Sequence, residues 1–229
     1  MKVIAFDADD TLWINEPYFQ DAENEFAALF EHYMPHHSIK QELFQTEIKN
    51  LDLYGYGVKG FMLSCIETAS RITEDRIDFS VVNQIIAIGQ RLLGRPIILL
   101  DQVEETLKAL YGTYKLIVAT KGDLLDQERK LANSGLEHYF HHVEIMSRKS
   151  HDDYRKLIRH LDCEPKEFMM IGNSLKSDVI PVVELGGVGV HIPYVTTWAH
   201  ERVETEFVHD NFYAVKELTD ILDALPLIS

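Results

Sequence analysis

The apolar pattern of the chain opens with an unbroken run, Val3 to Phe6, that gives way to acids at Asp7, Asp9 and Asp10. A short apolar run without alternation fits a strand buried on both faces, so the pattern predicts a central strand with carboxylates crowded at its carboxyl end. From Pro17 to Gly94 the spacing turns helical, with hardly a strand signal. Phe19, Ala22, Phe26, Leu29, Phe30 and Tyr33 recur on one helical face until Pro35 stops it. Ser38 is expected to cap a second helix through Leu43, Phe44, Ile48 and Leu51, with Val58 to Ile72 and Phe79 to Leu93 as the third and fourth. So long a stretch exceeds an ordinary connection and predicts an inserted helical domain over 14–94.

From Arg95 onward, strand and helix patterns alternate. Tyr114 to Ala119, Val143 to Met146, Glu167 to Ile171 and Gly187 to Ile192 are expected strands. Between and after them, helices are expected through Val103 to Leu110, Leu124 to Ser134, Tyr154 to Leu161, from Asn173 or Ser174 to Gly186, and Leu218 to Leu225. This alternation predicts an α/β core over 1–13 and 95–229, a parallel sheet wrapped by helices.

Composition narrows the partners. At 229 residues and 46% hydrophobic, the chain has ample material for a packed core. With 22 Lys plus Arg against 37 Asp plus Glu, the formal net charge is −15. A nucleic-acid backbone or an anionic membrane is therefore repelled at long range, although a local basic pocket can still take one phosphate. Cys65 and Cys163 lack the close spacing of a metal site and are read as buried or idle thiols rather than a disulfide. No apolar run approaches membrane-spanning length, and Asp7 comes too early for a secretory hydrophobic region, so a reducing cytoplasm is the expected location. The histidines His36, His37, His141, His142 and His191 form no recognised zinc spacing and are read as solvated or packed.

The candidate chemistry starts in Lys2 to Trp13. Carboxylates packed as closely as Asp7, Asp9 and Asp10 repel unless a cation or a shared proton offsets them, which makes a divalent metal the economical explanation. Asp7 and Asp9 are two residues apart, so in extended chain their side chains lean the same way. The competing account is that three aspartates cap a strand-to-helix turn. The form Asp-x-Asp-x-Thr after a hydrophobic strand resembles the haloacid dehalogenase (HAD) superfamily, and three later segments resemble its other motifs in order. Thr120, at a strand end before Gly122, matches the second, with Lys121 where the family more often has Asn. Lys149 resembles the third, with Ser150 in place of a frequent proline. Gly172-Asn173 followed by Asp178 resembles the fourth, with Asn173 in place of an aspartate.

What the resemblance implies is a Rossmann-like HAD core carrying a helical C1-type cap, and a Mg²⁺-dependent phosphatase acting on a small phosphorylated metabolite through an aspartyl-phosphate. Asp7 corresponds to the nucleophile and Asp9 to the general acid and base, while Thr120 and Lys149 hold the phosphoryl group. Asp7, Asp9, Asp178 and Asn173 form the implied metal set. Asn173 is open to three roles: ligand, orienting neighbour or helix cap. Lys121 is open to facing the phosphate or turning away. The glycine-rich turn Tyr54-Gly55-Tyr56-Gly57-Val58-Lys59 matches no nucleotide fingerprint. It reads either as a plain helix-helix turn or as a cap loop reading the leaving group with Tyr54, Tyr56 and Lys59. Three rival activities stand beside the phosphatase: a dehalogenase, which in this family lacks the second aspartate and the metal; a phosphomutase; and a non-catalytic module binding a phosphorylated ligand or a partner.

Overall fold

The structure, a computed structural model, describes residues 1–203 and 205–228; Glu204 and Ser229, both within the expected core segment, lie outside the described residues. The strands are β1 (Val3–Phe6), β2 (Lys115–Lys121), β3 (His142–Met146), β4 (Phe168–Gly172), β5 (Val188–His191) and β6 (Phe212–Ala214). The helices are α1 (Glu16–Ala28), α2 (His36–Tyr54), α3 (Val58–Ile72), α4 (Phe79–Leu93), α5 (Val103–Leu110), α6 (Leu124–Ser134), α7 (His151–His160), α8 (Ile180–Glu184) and α9 (Asp220–Ile228). The chain divides into two units, one of Met1–Glu16, Ile97–Lys121 and Gln127–Ser229, the other of Pro17–Pro96 and Gly122–Asp126. Glu16 and Pro96 thus close segments expected to close at residues 13 and 94.

In the first unit a six-stranded sheet runs in the order β3-β2-β1-β4-β5-β6, every neighbouring pair parallel. Alternation across β1 explains why its run is apolar throughout. Ile4 and Phe6 join one core cluster with Val103 and Leu107 of α5, Leu131 of α6 and Ile221 of α9. Val3 and Ala5 join another with Tyr154, Leu157 and Ile158 of α7 and Val182 of α8. Leu116 and Val118 against Ile117 and Ala119, and Met169 and Ile171 against Phe168 and Met170, divide the same way in β2 and β4. Each Val, Leu, Ile, Phe or Met among them, sealed from water, contributes about 1.5–3 kcal/mol of burial. This parallel, doubly covered sheet is the α/β architecture the alternation predicts.

Two local expectations are corrected. A single helix from Asn173 or Ser174 to Gly186 is instead a π-helical turn, Leu175–Val179, followed by the short α8 with Pro181 in its first turn. The expected last strand also has a neighbour, β6, only three residues long in a polar, irregular stretch.

The second unit holds α1 to α4 around Phe26, Phe30, Ile39, Leu43, Phe61, Ile85 and Ile88. α1 stops at Ala28 rather than reaching Tyr33, the chain turning through Leu29 to Met34 while keeping Phe30 inside. α2 starts before the expected cap, with Pro35 at its N-cap position, and the Ser38 hydroxyl instead faces the His37 ring at 3.3 Å. The turn between α2 and α3 needs its glycines: Gly55 and Gly57 have φ of 73° and 103°, where side chains with a Cβ are strained. No helix among the described residues is long and apolar enough to cross a membrane.

Candidate active site

The carboxyl ends of the parallel strands collect the motif residues, as expected for this sheet type. Asp7 leaves β1, its backbone N–H donating to Ile171 O at 2.9 Å. Lys149, delivered from the turn after β3, donates from Nζ to Asp7 Oδ1 at 2.5 Å and to Asp178 Oδ1 at 2.5 Å. The Lys149 and Asp178 side chains are each 1% exposed and that of Asp7 is 11%. Asp178 is fixed on its other oxygen by Ser174 N–H at 2.9 Å. Gly172 makes room for it: a Cβ there would lie 2.2 Å from Asp178 Oδ2.

Charge in this pocket is short on the positive side. Burial pushes the Asp7 carboxyl up to about 7, against the pull of Lys149. Burial also works against the charged form of Lys149, but Asp178 and Asp7 outweigh it and raise the ammonium's pKa. When both carboxyls are ionised, the single ammonium leaves the trio with a net negative charge.

The three aspartates of the first motif do different work. Asp10, at φ +61°, turns its carboxylate onto the backbone N–H groups of Asn15 at 2.8 Å and Glu16 at 2.9 Å, so it caps the start of α1. The capping account therefore holds for Asp10, whose carboxyl burial pushes up to about 8 despite these donors. Asp9 instead accepts from Trp13 Nε1 at 2.7 Å, Gln127 Nε2 at 3.0 Å and Lys130 Nζ at 2.9 and 3.1 Å. Its carboxylate is thus directed at these three side chains, whereas the sequence groups it with the metal ligands. Gln127 ties the second motif in as well, its two amide hydrogens shared among Asp9 Oδ2, Thr120 Oγ1 at 3.1 Å and Lys121 O at 2.6 Å.

Lys121 is drawn to Glu201 Oε1 at 2.6 Å and Ser177 Oγ at 2.9 Å. Glu201 also accepts from Ser174 Oγ at 2.5 Å and Ser177 Oγ at 2.6 Å. Burial pushes its carboxyl up, but Lys121 and the two hydroxyls prevail and hold it at about 2. Asn173 does not cap the turn that follows it; Ser174 does, accepting from Ser177 N at 3.0 Å. The Asn173 amide oxygen meets Thr11 Oγ1 at 3.4 Å, and its carbonyl lies 3.0 Å from His191 Nε2. Ser150, standing where the family often has proline, is the N-cap of α7 in a reciprocal capping box with Asp153.

In the helical unit, Tyr54 donates its hydroxyl to Glu67 Oε1 at 2.7 Å and Lys59 pairs with Asp123 at 2.9 Å. Tyr56 lies in the glycine turn between α2 and α3.

Sequence reasoning missed Gln127, Lys130, Trp13 and Glu201. The signal for the first two was available: they stand at i and i+3 on the helix that follows the second motif, hence on one face. Glu201, in a short 3₁₀ turn of an irregular stretch, offered no periodicity.

Among the described residues, no group of three or more His, Cys, Asp or Glu side chains gathers at metal-holding spacing. Mg²⁺ is commonly held by one or two carboxylates, with water and substrate phosphate filling its other positions. The buried Asp7 and Asp178, two carboxylates that share a single ammonium, fit that ion.

Comparison with known proteins places the chain in a family. No curated protein matches the chain. Among solved structures, a haloacid dehalogenase-like family hydrolase from Xanthomonas campestris is 35% identical, with a TM-score of 0.89 over 100% of this chain and 91% of that one. A HAD phosphatase from Thermococcus onnurineus is 19% identical at a TM-score of 0.65, covering 98% of each chain. L-2-haloacid dehalogenase from Xanthobacter autotrophicus is 14% identical at 0.66, covering 100% of each. These last two share the fold, which by itself does not choose between their chemistries. The family model for haloacid dehalogenase-like hydrolases matches residues 1–186, so the chain belongs to the HAD-like hydrolase family.

Proposed function

We propose that the protein is a Mg²⁺-dependent phosphatase that hydrolyses a small phosphomonoester by way of a phosphoryl group carried on Asp7. The observation that carries this reading is the buried bridge of Lys149 between Asp7 and Asp178, an arrangement deficient in positive charge and therefore suited to an anion that arrives with a dication. The second aspartate, Asp9, held at the same end of the sheet, favours phosphoryl transfer over dehalogenation, because the family's dehalogenases lack it.

Asp7 and Asp178 would hold the ion, with the Asn173 amide oxygen as a neutral third donor. When bound, Mg²⁺ supplies Lewis acidity to the phosphoryl oxygens. An Asp7 oxygen gives an electron pair to phosphorus, and the bond to the leaving oxygen breaks with its pair going to that oxygen. Asp9 hands it a proton. In the second half Asp9 takes a proton from water as the water oxygen attacks phosphorus, and the Asp7–phosphorus pair returns to Asp7. Lys149 and the Thr120 hydroxyl stabilise the phosphoryl oxygens throughout.

Phosphate release from a panel of small phosphomonoesters, with and without Mg²⁺, tests the reading beside halide release from a 2-haloacid. The expected result is Mg²⁺-dependent phosphate release that Asp7→Asn abolishes while the protein stays folded. Halide release without phosphate release overturns it.

A further inference from the structure

We propose that Gln127 and Lys130, on one face of α6, are positioning residues that aim Asp9 at the leaving-group oxygen; the inference rests on the phosphatase reading above. Asp9 accepts four hydrogen bonds: Trp13 Nε1 and Lys130 Nζ on Oδ1, Gln127 Nε2 and Lys130 Nζ on Oδ2. A carboxylate offers about four lone-pair positions, so this set fills it. A leaving oxygen reaches Asp9 only by replacing one of these donors.

The surroundings indicate which donor gives way. Trp13 and Gln127 are buried, and Gln127 is also tied to Thr120 and Lys121, so these two fix the plane of the carboxylate. Lys130 already has a second acceptor, Asn15 Oδ1, at 2.8 Å, and its flexible stem lets it keep that contact while releasing one Asp9 oxygen. Gln127 couples the carboxylate that moves the proton to the hydroxyl that holds the phosphoryl group. Its Oε1 is buried with no hydrogen-bond partner among the described residues, an orientation kept for what its amide nitrogen donates. Once Lys130 releases one oxygen, that oxygen takes up a proton from solvent water, and Asp9 delivers this proton to the bridging oxygen as the latter receives the electron pair of the breaking bond to phosphorus.

Leaving-group dependence tests this, because a proton donor matters for an alkoxide and hardly for p-nitrophenolate. The measurement is kcat/KM, which reports the first phosphoryl transfer, for an alkyl phosphate and for p-nitrophenyl phosphate. It compares wild type, Lys130→Met, Lys130→Arg, Gln127→Met and, as calibrator, Asp9→Asn. Lys130→Met and Gln127→Met are expected to lose at least about tenfold more on the alkyl ester than on the aryl ester, in the direction set by Asp9→Asn. Lys130→Arg is expected to recover most of the alkyl activity. Equal losses on both esters overturn the inference, as does a faster Lys130→Met, which would make Lys130 a block on Asp9. A wild-type enzyme that releases phosphate from neither ester removes the phosphatase reading and this inference with it, whereas equal losses remove the inference alone.

Discussion

Gly172→Ala isolates the packing on which the site depends. The glycine's φ is not in the left-handed region, so its backbone accepts alanine; the obstacle is space. The added Cβ would stand 2.2 Å from Asp178 Oδ2, 2.4 Å from Cγ and 2.7 Å from Cβ, where ordinary contact begins near 3.4 Å. The intruded atoms are not the far end of a flexible chain, since Asp178 is held by Lys149 on one oxygen and by Ser174 N–H on the other. Shifting strand and turn apart costs about 1–3 kcal/mol as overpacking. Expelling the carboxylate breaks a buried ion pair at about 3–5 kcal/mol. The cheaper route sets the outcome at about 1–3 kcal/mol, which for a chain of this size lowers the melting temperature by about 2–12 °C. Because Asp178→Ala removes two of the three clashing atoms, the glycine change should cost less in that background, with a coupling of about 1 kcal/mol or more. Thermal melts of the four proteins decide it: a Gly172→Ala variant melting with wild type, or one whose cost is unchanged beside Asp178→Ala, refutes the reasoning.

Adding Mg²⁺ is expected to raise the melting temperature of wild type, by about 2.7 kcal/mol of stability at a hundredfold excess over the dissociation constant, and to leave Asp178→Ala almost unmoved; an equal shift in both removes Asp178 from the ligand set. Glu201 is held at about 2 against an ordinary 4.5, so its stabilisation is complete above about pH 5 and fades as pH falls toward 2. Glu201→Gln should therefore destabilise by on the order of 2–3 kcal/mol at pH 7 and by less at pH 4, as read from denaturation at both; a deficit that does not shrink with acid contradicts the ion pair with Lys121. Ser150→Ala removes one half of the capping box on α7 and is expected to cost about 1 kcal/mol in urea titration; no loss would mean that the exposed box contributes nothing.

Much of the fold was legible because its elements carry one strong period each. α3, α4 and α6 run over the residues their apolar spacing and flanking Gly and Asp mark out, and β1 and β2 follow from runs that are buried on both faces. Tertiary contacts decided the rest. Apolar spacing after Ala28 continues without a helix because Phe30 reaches the core from a turn. β6 is too short to show alternation, and the π-helical turn after β4 serves the placement of Asp178 rather than any sequence period. At the site, Asp7, Lys149 and Asp178 meet as their motif order suggests. Gln127 and Lys130 look like the solvent face of an amphipathic helix, and their inward direction depends on Asp9 being there to receive them.

The placement of β1 also governs how the protein is made. Of the six strands, the one earliest in the sequence lies inside the sheet, and its neighbours begin at Lys115 and Phe168. On the ribosome it therefore waits, apolar and unpaired, through the whole helical insertion before either flank exists. Such distant pairing is slow and leaves a sticky segment open to wrong partners. Nascent chains truncated before Phe168 are thus expected to need chaperone shielding at β1, although α1 to α4 draw on nearby residues and can settle early.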